Sequence, residues 1–337
     1  MKKYGRIVLP TIFCRHCIKG GEYGENFTRP RLIDRGIRML YRNFSSFLKE
    51  KYKSKVSKIC IDGGFGCPNR DGTCGTGGCI YCGERGAGEH IDASVSITEQ
   101  VRSHLAKGKS DTLYIAYFQN FTNTYAPTDV LMQRYDSALI DKRIVALAIG
   151  TRPDCINEEI AELIASYRDR VDVWVELGLQ TASDKTASVI NRGYKTEVYK
   201  RAAKLLTSHG IPFVTHMIIG LPGEGEAEID STVDVINECG SWGVKIHSIY
   251  VMEDTALAEM YRRGEYEPPS LEEYVRLSAR SLARLKPDIV VHRITGDCPD
   301  GMLVAPEWNK DKNKVINLVR ERLESESLRQ GSLYGKG

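Results

Sequence analysis

No run of apolar residues in this 337-residue sequence approaches the roughly 20 that a membrane-spanning helix requires. The nearest candidate for a signal peptide, residues 7–14, contains Pro10 and stops at Arg15, a poor match to a secretory leader. Charge of one sign is missing too. The 47 Lys+Arg against 44 Asp+Glu leave a net +3, which creates no whole-protein field demanding a nucleic-acid partner, although a local basic patch is compatible with it. Nor is the composition skewed: 42% hydrophobic and 27% charged residues exclude collagen-like, disordered and integral-membrane classes. What is left is a globular chain able to bury a sizeable core, expected in the cytoplasm with no membrane partner. Since α/β barrels often exceed about 250 residues as one unit, one large domain with small appendages is expected.

From Lys55 onward, short β-rich runs alternate with helical patterns, the signature of βα units around a parallel sheet or barrel. Strands are read at residues 56–62, 112–118, 144–150, 171–179, 213–220 and 244–252, with 289–294 as a candidate seventh. Helical periodicity runs through 96–105, 129–138, 158–167, 196–209 and 226–239, each after a strand and a turn, as a crossover requires. Further helices at 271–285 and 311–328 would close or flank the barrel. The fold class is α/β. Residues 1–38, Gly- and Arg-rich and without periodicity, read as a poorly structured extension, 39–295 as the barrel, and 296–337 as a C-terminal helical segment whose last residues, 329–337, fray.

Ten cysteines would suit disulfides or metal, but five fall within residues 60–82 of a chain that otherwise reads as cytosolic, which favours metal or cluster binding. After the first strand the sequence reads GGFGCPNRDG over 63–72 and continues through Gly75, Gly77 and Gly78 to Cys79-Ile80-Tyr81-Cys82. Cys67, Cys79 and Cys82 can converge. Three thiolates on three irons would leave the fourth iron of a [4Fe–4S] cluster open to a chelating ligand such as the amino and carboxylate groups of S-adenosylmethionine. Two other arrangements stay open: Cys74 as a fourth thiolate closing the site, and a zinc knuckle built from Cys14-x-x-Cys17 and Cys79-x-x-Cys82.

The segment CPNRDGTCGTGGCIYC, the strand ends YFQNFTNTYAP, IGTRPDC, VELGLQT and MIIGLPGE, and the segments VINRG and VHRITGD together resemble the radical S-adenosylmethionine (radical SAM) superfamily. More narrowly, they are similar to its YhcC/YtqA-like branch, kin to Elongator-type and oxygen-independent coproporphyrinogen dehydrogenase-type proteins. The commonest pattern of the superfamily is C-x3-C-x2-C; here eleven residues separate Cys67 from Cys79, a spacing characteristic of this branch. The resemblance covers about residues 39–323 and implies a partial (β/α)6 TIM-like barrel with C-terminal flanking helices. It implies Cys67, Cys79 and Cys82 as cluster ligands and Tyr81 beside the adenine. Gln119 and Thr122 stand where relatives contact the methionine amino group, and Gly150 lies at the third strand end. Gln180 and Arg192 match a Gln and an Arg of the coproporphyrinogen-type pattern, with Arg192 gripping the cofactor carboxylate. His216 would face the ribose and Val251 the adenine, while Glu176 shares a strand face with Gln180. No catalytic residue is assigned.

Plainer roles compete at several positions. Glu176 and Gln180 would also suit a satisfied polar layer of the barrel, Asp71 a cap on the Gly72 turn, and Cys60, Cys155 and Cys239 simple packing. His292 and Arg293 suit either the open end of the barrel or a packed position between sheet and helix. The resemblance implies that one-electron reduction cleaves S-adenosylmethionine to a 5′-deoxyadenosyl radical that abstracts hydrogen from substrate. A reductant such as flavodoxin or ferredoxin would supply the electron, and tRNA wobble-uridine modification is the leading substrate assignment. The competing class is a non-enzymatic iron–sulfur electron carrier or a zinc-binding, nucleic-acid-binding protein with four protein ligands.

Residues 1–38 supply no packing periodicity, so a chain beginning at Met39 is expected to keep its barrel stability, cluster content and 5′-deoxyadenosine production. Loss of a second metal signal together with activity would instead assign Cys14 and Cys17 an essential site.

Overall fold

A computed structural model of the chain describes residues 39–84, 86, 94–299 and 301–335; the extension 1–38, with Cys14 and Cys17, lies outside these described residues. The strands are β1 (Val56–Ile61), β2 (Leu113–Phe118), β3 (Ile144–Thr151), β4 (Asp172–Gln180), β5 (Phe213–Ile219), β6 (Gly243–Ser248), β7 (Val251–Met252), β8 (Val290–Arg293) and β9 (Leu303–Ala305). The helices are α1 (Phe44–Tyr52), α2 (Ile97–Lys107), α3 (Thr128–Ala138), α4 (Glu158–Ser166), α5 (Asp184–Val189), α6 (Thr196–Ser208), α7 (Glu226–Glu238), α8 (Ala256–Arg262), α9 (Leu271–Arg284) and α10 (Lys312–Ser325). Seven strands form one parallel sheet in the order β1-β2-β3-β4-β5-β6-β8, curled into a half-barrel. This is the expected α/β partial barrel, with α9 and α10 flanking it and the candidate seventh strand present as β8. No helix among the described residues is long and apolar enough to cross a membrane.

Three local expectations change. The run 244–252 is not one strand: β6 ends at Ser248, and β7 leaves the sheet to pair antiparallel with β9. Gly296 packs directly on the end of β6, its N–H donating to Ser248 Oγ at 2.6 Å, so the chain crosses there and the strand stops. The amphipathic stretch Phe44–Tyr52 forms α1, whereas two further helices, α5 and α8, were absent from the sequence pattern because six and seven residues are too few to show a helical period. The described part of the C-terminal stretch, through residue 335, is tied down where fraying was expected. Gln330 is buried, its backbone N–H donates to Leu40 O, its Oε1 accepts from Arg42 N, and its Nε2 donates to Lys286 O and Ile289 O.

Alternation along the strands divides the core in two. Phe118, Leu147, Ile149, Val175 and Leu177 point outward and are covered by the amphipathic helices. Their inward neighbours, Ile115, Ala146, Trp174, Val214 and Val290, meet Phe44 and Leu48 of α1, which plug the N-terminal end of the barrel. His292 belongs to this plug. Its ring stacks on Phe44 with centroids 3.8 Å apart and meets Trp242 edge-on at 5.1 Å, so it packs rather than facing the open end. Across the outer layer, α7 and α9 are joined by a ladder in which Arg280 pairs with Asp230 at 2.6 Å and Arg284 with Asp234 at 3.0 Å.

Truncating the centre of the plug leaves a cavity among the rings of Phe47, Trp174, Trp242 and His292, so Phe44→Ala is expected to cost about 3–5 kcal/mol in urea unfolding. A loss below about 1 kcal/mol would show that the plug collapses around the gap and that Phe44 does not hold it.

Candidate active site

The glycine-rich loop after β1 is laid over the C-terminal mouth of the barrel by a set of backbone and amide hydrogen bonds. Asp62 anchors its start, accepting from Gly64 N at 2.8 Å and from Asn120 Nδ2 at 2.7 Å. Pro68 O then accepts from Cys74 N at 2.8 Å, and Asn69 O from Gly78 N at 2.9 Å, which folds the loop back on itself. Two asparagines lock it to the turn after α5: Asn69 Nδ2 donates to Asn191 O at 2.6 Å, and Asn191 Nδ2 donates to Gly78 O at 2.7 Å. The close approach requires glycine. A Cβ on Gly75 would sit 2.4 Å from Asn69 Oδ1, and Gly77 and Gly78 both have φ of +77°, a region that costs other residues.

Cys67, Cys79 and Cys82 all line one cavity of about 360 Å³ beneath this loop, and all three are free thiols. A hydrogen bond from Cys82 lowers the Cys79 thiol to about 7, with Arg152 adding to the effect, while the same bond and burial push Cys82 up. Asn69 Nδ2 lies 3.8 Å from Cys79 Sγ as a further donor. Three convergent thiols with N–H donors around them, at the end of a parallel strand, form a donor set that fits an iron–sulfur cluster with one iron left open. Cys74 stands apart from them. It is exposed, absent from the cavity wall, and its neighbours are Asp154, Arg152 and Asp71. Asp71 caps the next turn, its Oδ1 accepting from Thr73 N at 3.0 Å.

Of the positions that the resemblance implied, Tyr81, Gln119, Thr122, Gly150, Glu176, Gln180, Arg192 and His216 line this same cavity. Val251 does not. It belongs to β7, fully buried in an apolar cluster with Ile190, Ile218 and Leu257. Gln180 has φ of +65° at a register shift in β4, so it reaches the cavity by a backbone turn and not by simple alternation with Glu176. Arg192 is held differently from its expected role. Its Nη1 donates to Leu179 O and Thr181 O, its Nε to Tyr194 O, and its Nη2 to Tyr194 O and Thr196 Oγ1. All five N–H donors are engaged by protein, so in this arrangement Arg192 clamps the turn after β4 and has none to spare for a carboxylate. Cys60, expected only to pack, also borders the cavity, whereas Cys155 and Cys239 do not.

Several wall residues escaped the sequence reading: Lys58, Tyr117, Arg152, Tyr194, Lys245 and His247. A lysine inside an otherwise apolar strand was the available signal for Lys58 and Lys245. Glu176, fully buried, accepts from Lys245 Nζ and stands 2.9 Å from His216 Nε2, while Lys245 Nζ donates to Tyr117 Oη at 3.1 Å. Burial opposes ionisation of Glu176, yet Lys245 and His216 hold its carboxyl well below the usual range. Burial also brings Lys245 down to about 7 and lowers His216. The interior thus carries a charged pair with little solvent to support it.

Comparison with known proteins bears on this arrangement directly. The Radical SAM superfamily model matches residues 64–236, and the Radical_SAM C-terminal domain model matches 241–325. The chain is 36% identical over 298 residues to the uncharacterized protein YtqA of Bacillus subtilis, covering 87% of this chain and 92% of that one. It therefore belongs to the radical SAM superfamily, in the YhcC/YtqA-like branch, and is a radical SAM enzyme whose cofactors are a [4Fe–4S] cluster and S-adenosylmethionine. A tRNA uridine(34) acetyltransferase of Methanocaldococcus jannaschii is 32% identical over 194 residues, 56% of this chain and 34% of that protein. Among solved structures, the Elp3 of Methanocaldococcus infernus with an N-terminal deletion superposes with a TM-score of 0.63 at 21% identity, over 84% of this chain and 68% of that one, a likeness of fold.

Removing one partner of a buried ion pair strands the other, so Lys245→Met is expected to destabilise the protein by about 3–5 kcal/mol in denaturant unfolding. Adding Glu176→Gln to that variant should recover part of the loss. If Lys245→Met unfolds at the wild-type midpoint, Lys245 is not what holds the Glu176 charge.

Proposed function

We propose that this enzyme modifies a wobble uridine of tRNA by hydrogen abstraction, with the cluster held by Cys67, Cys79 and Cys82 and the electron supplied by a flavodoxin or ferredoxin. The observation that carries the chemistry is the convergence of these three free thiols, and not Cys74, on the mouth of a polar barrel cavity. The substrate class is supported by the tRNA uridine(34) acetyltransferase, whose aligned part shares about a third of its residues with this chain. When bound, the cluster and S-adenosylmethionine supply a 5′-deoxyadenosyl radical after one-electron reduction.

The chain's own residues prepare the place for that chemistry. Asn69 and Asn191 fix the loop so that the cysteines keep their spacing, and Asn69 Nδ2 donates toward the Cys79 sulfur. Tyr81, Gln119, Thr122 and Gln180 offer polar groups around the upper cavity, where they would orient S-adenosylmethionine. Gly150 lets the backbone of β2 come close, since a Cβ there would stand 3.0 Å from Phe118 O. His216, with its imidazole kept neutral by burial and Lys245, faces the same space beside the ionised Glu176. The aromatic plug closes the N-terminal end of the cavity, which limits the routes by which water could reach and quench a reactive radical.

Anaerobic reconstitution tests the site. Cys67→Ala, Cys79→Ala and Cys82→Ala should each abolish cluster assembly, while Cys74→Ala keeps the iron content, the spectroscopic change on adding S-adenosylmethionine and 5′-deoxyadenosine formation. A cluster lost only in Cys74→Ala, or one that does not respond to S-adenosylmethionine, would overturn the ligand set. For the substrate, mass spectrometry of tRNA nucleosides from cells lacking the protein should show a wobble uridine arrested at a precursor. An unchanged nucleoside profile would remove tRNA.

A further inference from the structure

The lower part of the barrel cavity holds more cationic donors than its own acceptors use. Three strands contribute: Lys58 comes from β1, Lys245 from β6 and Arg293 from β8, all on the cavity wall. His216, Lys245 and Arg293 are register partners across β5, β6 and β8, so they form one row of the sheet. Two carboxylates face them. Glu176 is spent on Lys245 and His216, and Asp297 pairs with Arg293 at 3.1 Å and also with Lys312 outside the row. Lys58 has no carboxylate within ion-pair distance among the described residues. Its ammonium lies over the rings of Phe44 at 5.2 Å and Tyr117 at 5.4 Å. Nearby, the buried Nε2 of His247, on the same wall, has no hydrogen-bond partner among the described residues.

The buried His247 nitrogen is costly to leave as it stands, and Lys58 is a part-buried ammonium without a carboxylate partner among the described residues. An ammonium lined by ring faces gains part of what a carboxylate or water would give it, and an unpaired ring nitrogen loses a hydrogen bond on burial. An acceptor-rich anionic group in the cavity would satisfy them together. The same shortage of negative charge acts on Lys245, which burial and the neighbouring Lys58 and Arg293 depress toward neutrality against the pull of Glu176. The depth matters as well: Lys58 is the third residue of β1, inside the sheet, whereas the cysteine loop lies beyond the end of that strand. Below Lys58 the plug of α1 closes the cavity, and the side of the cysteines is open to a ligand.

We propose that the floor of the cavity is a receptor for an oxyanion of the substrate, a carboxylate or a phosphate, gripped by Lys58 together with Arg293 and His247. This rests on the reading of the cavity as the place where the radical meets its substrate. The receptor would set the depth at which substrate stops, and with it which C–H bond lies nearest the cofactor. It also gives the buried Glu176–Lys245 pair a function as the fixed rear wall of that receptor.

The test uses the cluster-reconstituted holoenzyme and calorimetric titration with inorganic phosphate and, separately, acetate, with no turnover required. One or both should bind the wild-type protein. Lys58→Met should weaken that binding about tenfold, Lys58→Arg should largely retain it, and S-adenosylmethionine affinity should stay within about twofold in both variants. A preference for acetate assigns a carboxylate and a preference for phosphate a phosphoryl group. Unfolding midpoints establish that the variants are folded. The proposal is overturned if neither anion binds or if Lys58→Met leaves the affinity unchanged. It is also overturned if anion and S-adenosylmethionine affinities fall in step, because Lys58 would then serve the cofactor. Failure of the functional reading looks different: the holoenzyme would bind no S-adenosylmethionine, or the tRNA nucleosides would be unchanged, whatever the anion titration shows.

Discussion

The half-barrel has two ends with opposite needs, and the packing of Phe44 against Trp174, Trp242 and His292 is what separates them. A curled sheet of seven strands leaves an inner face too wide for its own side chains to fill unaided. By inserting α1, the chain fills the N-terminal end with aromatic and aliphatic groups, and the C-terminal end is free to stay polar and open. Without that stopper, the charged pair of Glu176 and Lys245 and the neutral His216 beside it would face water from both sides. Its electrostatics depend on low solvent access, so the character of the cavity follows from an apolar contact at its far end.

At the open end, the cysteines are placed by rigidity of the loop rather than by length of side chain. Glycines at 75, 77 and 78 give a backbone that can pass within reach of Asn69, and the Asn69–Asn191 lock ties the loop to the far side of the sheet. Arg192 does a related job one turn further on. Its guanidinium collects carbonyls from the end of β4 and from Tyr194, so the strand end that carries Gln180 at positive φ cannot relax. Positioning in this protein is thus largely a matter of amide and guanidinium groups satisfying loop carbonyls that no sheet or helix would otherwise reach.

Much of this was visible in the sequence, for reasons that differ by element. Strands of a doubly covered parallel sheet are continuous apolar runs, so β1 to β5 stand out to within a residue or so. The end of β6 did not, because Ile249 to Met252 is as apolar as the strand before it, and only the crossing of Gly296 breaks it. Cysteine spacing and glycine density announced the loop. The lysines of the floor were overlooked, although Lys245, flanked by Val244 and Ile246, sits where a strand should carry an apolar or small inward residue. Arg192 was placed at the site by the resemblance to the coproporphyrinogen-type pattern. That its donors are consumed depends on three carbonyls brought together by a turn, which that pattern does not encode.

Gln330 stitches together two separate stretches of chain: residues 40 and 42, leading into α1, and the residues just before β8. The strand-like step at Asn43 also bridges to Val291 at the sheet edge. During synthesis, the segment that seats the stopper precedes Gln330 by 288 residues, so its final hydrogen bonds exist only once residue 330 has left the ribosome. A chain cut short before residue 330 would carry the whole cysteine loop above a floor that lacks these ties.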